Sequence, residues 1–171
     1  MQSKARALRH AIHPMLVVFP LGLLATAVIF DILWLITDHR DFNVAAAYAI
    51  AAGVIGGLVA AVFGLVDWLG IPSGTRAWRV GLLHGSGNVV VVVLFLVSWL
   101  LRAAADDWKP NALALILGFV AVVIAGATGW LGGELVQRLG VSVEADANLD
   151  APSSLSHTPA AGTTRQPGLA G

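Results

Sequence analysis

Four apolar stretches, each long enough to cross a bilayer, dominate this chain: about Pro14 to Thr37, Val44 to Leu69, Val80 to Leu101 and Asn111 to Leu131. A helix needs roughly 20 apolar residues to span a ~30 Å hydrocarbon core. Each stretch is apolar nearly all round, so none reads as an amphipathic helix of a soluble core. Only 12% of the residues are charged, against about 25% in a soluble domain. Much of the surface is therefore expected to face lipid.

Short polar connections separate the stretches. Asp38 to Asn43 join the first two, Gly70 to Arg79 the second and third, and Arg102 to Pro110 the third and fourth. Short links force antiparallel neighbours. The expected fold class is all-α, a polytopic membrane protein with four transmembrane helices in an up-down-up-down bundle. A basic segment over 1–13 precedes the four-helix domain over 14–140, and a tail over 141–171 follows. That tail is too poor in apolar residues to order itself and is expected to be disordered.

Lys4, Arg6, Arg9, Arg76, Arg79 and Arg138 fall on one side of the expected bundle, and Arg40, Arg102 and Lys109 on the other. The Lys/Arg excess predicts that both termini are cytoplasmic in a bacterial inner membrane. Trp68, Trp78, Trp99, Trp108 and Trp130 sit near helix ends, at the depth indole rings prefer. Ala25-Thr26-Ala27 has the small residues of a signal-peptide cleavage site. The apolar run continues to Ile36, however, and Pro20 interrupts it, so a retained helix is expected. Pro20 should also kink that helix, by leaving the Leu16 carbonyl without its helical donor.

Composition excludes several function classes. The net charge is zero, so nothing can neutralise a nucleic-acid backbone. There is no cysteine, which rules out disulfides, thiolate metal sites, covalently attached haem and cysteine nucleophiles. No nucleophile-base pair or phosphate loop occurs, so the chain gives no positive sign of an enzyme. Close helix packing is expected from Gly53, Gly56, Gly57, Ala60 and Gly64, and from the pairs Gly81/Gly85 and Gly129/Gly133.

The chemistry gathers at the termini end of the bundle. His13, Asp67, His84, Asn88 and Glu134 all fall there, and polar groups near lipid call for a ligand or a partner. His84 and Asn88 are four residues apart and share a helix face. Three explanations fit. His13 and His84, with Asn88 beside them, could hold a b-type haem for electron transfer with other membrane redox proteins, although His84 lies ~6 Å deeper than its helix start. His13, Asp67, His84 and Glu134 could hold a divalent metal. Or the cluster is structural in a non-catalytic membrane anchor or interaction module, with Glu134 paired to Arg138, Asp67 to Arg76 or Arg79, and His84 to Asn88. The residues leave all three open. Asp31 stands apart, about two turns from the far end of the first helix, reaching headgroups or a neighbouring helix.

His10-Ala11-Ile12-His13-Pro14-Met15-Leu16-Val17, Phe19-Pro20-Leu21-Gly22-Leu23 and Asp31 open a set of motifs. Gly64-Leu65-Val66-Asp67-Trp68, the His84–Asn88 spacing and Trp130-Leu131-Gly132-Gly133-Glu134-Leu135-Val136 continue it. In this order they resemble the bacterial membrane family catalogued as domain of unknown function 2231, over about Ala5 to Val143. The resemblance implies a four-helix inner-membrane protein with no established activity. Fusion of relatives to cytochrome or Rieske-type modules implies a redox setting. The chain departs from the family pattern at Val18, where some relatives carry a histidine, and at Leu139, where many do, and a cofactor bound through those histidines would be lost here.

Overall fold

The computed structural model describes residues 3–8, 10–144 and 147–155. Four apolar helices run antiparallel and pack most extensively as sequence-adjacent pairs. The first span, Ile12–Thr37, is made of α1 (Ile12–Leu16) and α2 (Val18–Thr37). The others are α3 (Arg40–Trp68), α4 (Arg76–Ala103) and α5 (Ala112–Gln137), with a one-turn 3-10 segment at Asp106–Trp108 between the last two. The helices run beyond the apolar stretches into charged residues, because backbone hydrogen bonding continues wherever φ and ψ allow and is indifferent to polarity. Thr75 and Asn111 start α4 and α5 with side-chain caps on the amides of Trp78 and Ala114.

The first span is interrupted at Val17. Pro20 has no N–H to give the Leu16 carbonyl, so the hydrogen-bond ladder breaks one turn before it. The buried Pro20 ring packs by Gly56 and Gly57 of α3, which hold that part of the helix against the bundle.

The core is thin and made largely of small side chains. Leu24, Ala27 and Val28 of α2 meet Ala46, Ile50 and Val54 of α3, Val91 and Phe95 of α4, and Ala121 of α5. At most 28% of the most apolar window of any span is buried within the bundle. Leu58, Val62, Leu83, Val93 and Val123 all point outward. Such a surface is stable only in lipid, and the protein is a multi-pass membrane protein.

Of the small residues, Gly53 admits Leu24, Gly57 admits Val92 and Gly81 admits Trp68. Gly85, Gly129 and Gly133 face open space. The two spaced glycine pairs thus contribute one packing contact, at Gly81, because the helix crossing turns the other three outward.

Before α1, residues 3–8 and 10–11 contribute to a small clasp. Strands β1 (Arg6–Ala7) and β2 (His10–Ala11) pair antiparallel, and the Arg6 side chain pairs with Glu144 beyond α5. Much of the expected disordered tail over 141–171, including His157 and Arg165, lies outside the described residues.

Candidate functional site at the histidine end

The interruption at Val17 and the clasp set the position of His13. Its ring meets that of His84, with centroids 6.3 Å apart and planes at 88°. The depth difference expected between the two histidines does not keep the rings apart. His13 Nδ1 donates to the Ala60 carbonyl of α3 at 2.8 Å, and His84 Nδ1 donates to the Thr128 carbonyl of α5 at 2.8 Å. A carbonyl only accepts, so in each neutral ring the proton sits on Nδ1 and Nε2 presents a lone pair.

Two glycines make room for the imidazoles. A Cβ at Gly64 would come within 2.9 Å of His13 Nδ1 and Cε1. One at Gly132 would come within 3.1 Å of His84 Cε1. Helices α3 and α5 therefore each present a bare stretch of backbone to one ring and a carbonyl to its Nδ1.

Asn88 completes the cluster. Its Nδ2 donates to the His84 carbonyl at 2.8 Å and lies 3.3 Å from His84 Nε2. Its Oδ1 accepts from the Thr128 hydroxyl at 3.1 Å. Four helical segments thus converge on the imidazole pair: α1 and α4 carry the rings, and α3 and α5 fix them.

Asp67 and Glu134 are engaged elsewhere. Asp67 Oδ1 accepts from the Ser3 hydroxyl at 2.6 Å and from the backbone amides of Lys4 and Ala5 at 3.0 and 3.1 Å. It ties down the clasp and is not paired with Arg76 or Arg79. Glu134 accepts from Arg76 at 2.7 Å, a partner from α4 rather than Arg138 of its own chain segment. Among the described residues, no three His, Cys, Asp or Glu side chains lie together as a metal-holding group. Of the four residues considered for a divalent metal, the fold brings only His13 and His84 into a pair.

The opposite end holds a second polar centre. Arg102 Nη1 and Nη2 donate to Asp31 Oδ1 and Oδ2, each at 2.7 Å. Both residues are buried, Arg102 completely. Arg102 Nε reaches the Ser98 hydroxyl, which donates to the Ala114 carbonyl at 2.7 Å. Arg102 is thus a core residue and not a loop charge. The four-residue spacing of Ser98 and Arg102, with Asp31 inside an apolar run, was the signal for this pair. Gly64, Gly132 and Thr128 carried a weaker one, since glycines and threonines are common in membrane helices for packing alone.

Over residues 9–145 the chain matches a family described as predicted membrane protein, DUF2231. No curated protein and no solved structure matches it.

Proposed function

The chain belongs to the DUF2231 family of predicted membrane proteins, and from that premise we propose that its imidazole pair binds a b-type haem for electron transfer. The observation that carries the reading is the matching hydrogen bond on each ring: each Nδ1–H is held by a main-chain carbonyl. Ligating histidines are oriented in this way, with the second nitrogen's hydrogen bond fixing the tautomer and raising ligand basicity. The fold brings one histidine from α1 and one from α4 to the same place, with ring centroids 6.3 Å apart.

The donor set favours haem over a bare divalent ion. Haem brings its own equatorial nitrogens and asks the protein only for axial ligands. A four-coordinate zinc needs two more donors, and Asp67 and Glu134 are bonded to other groups. His13 and His84 would hold the group, with Asn88 positioning His84. The bound group would supply one-electron chemistry, and its redox partners would be other membrane proteins.

We place both termini in the cytoplasm of a bacterial inner membrane. Lys4, Arg6, Arg9, Arg76, Arg79 and Arg138 support that orientation. With Arg102 buried against Asp31, Arg40 and Lys109 are the Lys/Arg residues that remain in the far-side connections.

The deciding experiment is a reduced-minus-oxidised absorption spectrum of protein purified in mild detergent after haem-sufficient expression. A sharp α-band at near-stoichiometric haem, lost in His13→Ala and His84→Ala that still insert, is the expected result. A flat spectrum would turn the assignment to a non-catalytic anchor or interaction module. That second reading draws on the protein partners already made by Asp67, Asn88 and Glu134.

A further inference from the structure

At the end of the bundle opposite the termini lies an open cavity of about 260 Å³. Trp34 and Asp38 from the end of α2 line it, with Arg40 and Asn43 near the start of α3, Asp106 and Asp107 from the 3-10 turn, and Lys109 after it. We propose that this cavity binds a primary ammonium group.

Asn43 is only 3% exposed, and its Oδ1 is the one buried side-chain N or O atom without a hydrogen-bond partner among the described residues. A buried acceptor left without a donor is costly, so this atom points to a ligand that donates. The carboxylates are independent of it. Asp107 is neutralised by Arg40 at 2.7 Å, but Asp38 and Asp106 form no ion pair among the described residues. Two carboxylates and one amide oxygen match the three N–H donors of an ammonium group. The Trp34 ring adds a cation-attracting face, and Lys109 Nζ already lies 5.7 Å from its centroid.

An anion would meet the two free carboxylates. A calcium ion would take six to eight oxygens, and among the described residues no three His, Cys, Asp or Glu side chains are grouped so as to hold a metal ion. Lys109 acts here as a tethered competitor for the Trp34 face.

Such an amine could come from two sources: the ethanolamine headgroup of a lipid in the adjoining leaflet, or a soluble amine. The test uses the full chain in phosphatidylcholine nanodiscs, titrated with ethanolamine by calorimetry. In parallel, native mass spectrometry of protein from mixed phosphatidylethanolamine–phosphatidylcholine discs reads lipid retention. Saturable ethanolamine binding supports a soluble ligand, and selective retention of phosphatidylethanolamine supports the lipid. In either arm, Asn43→Ala and Asp106→Asn are expected to weaken binding at least tenfold and Lys109→Met to tighten it. Should Asn43→Ala fail to fold, Asp38→Asn, on an exposed side chain, replaces it with the same expected loss. Absence of binding in both arms, or binding unchanged by the carboxylate substitutions, overturns the proposal.

Discussion

Arg102 and Asp31 form a bidentate pair sealed from solvent. Removing one partner leaves the other charge buried and alone, a loss of about 3–5 kcal/mol. Asp31→Asn and Arg102→Met should each lower the unfolding free energy in detergent by that order. The double variant Asp31→Leu/Arg102→Met should cost less than either single change, because it removes both charges together. Denaturant titration of the three variants measures this coupling directly. At the histidine end the sensitive position is Gly64. Gly64→Ala must push the His13 ring from the Ala60 carbonyl, losing a hydrogen bond and straining the packing, for about 1–3 kcal/mol. Gly22→Ala, whose added Cβ meets nothing within 4 Å, should lack that cost in the same denaturant titration.

The N-terminal clasp is held chiefly by one side chain. Asp67 receives three hydrogen bonds from Ser3, Lys4 and Ala5, and Lys4 also packs on Gly70. Asp67→Ala should release the segment while the four spans stay assembled. Trypsin should then cut after Lys4 and Arg6 faster than in the unaltered chain, with an unchanged helical circular-dichroism spectrum. The interruption at Val17 belongs to the same scale. Pro20 opens the ladder there, and α1 packs on α3 with His13 at the bundle. The break was readable from Pro20, since the missing N–H is a property of one residue. The ring contact was not, because a kink's direction depends on what the freed segment packs against.

For the whole molecule, the absence of cysteine makes any introduced thiol a unique topological reporter. With the proposed orientation, Ala104→Cys should react with an impermeant maleimide added to spheroplasts, and Ser73→Cys only after the membrane is opened. The reverse pattern would invert the assignment. The sequence alone determined the class and the number of spans, since apolar length and short connections leave a chain few other ways to sit in a bilayer. It also located the polar cluster, because depth along a span follows from counting residues. The pairings were decided only by the tertiary structure. Arg102, near the end of its helix, leans back toward the helix N-terminus and so reaches inward to Asp31. Glu134 finds Arg76 on α4, and Asp67 finds the clasp. His13 and His84 meet because α3 and α5 offer each ring a glycine and a carbonyl. Depth is a one-dimensional property that residue order encodes, whereas the rotation of each helix about its axis emerges only when all four faces pack together.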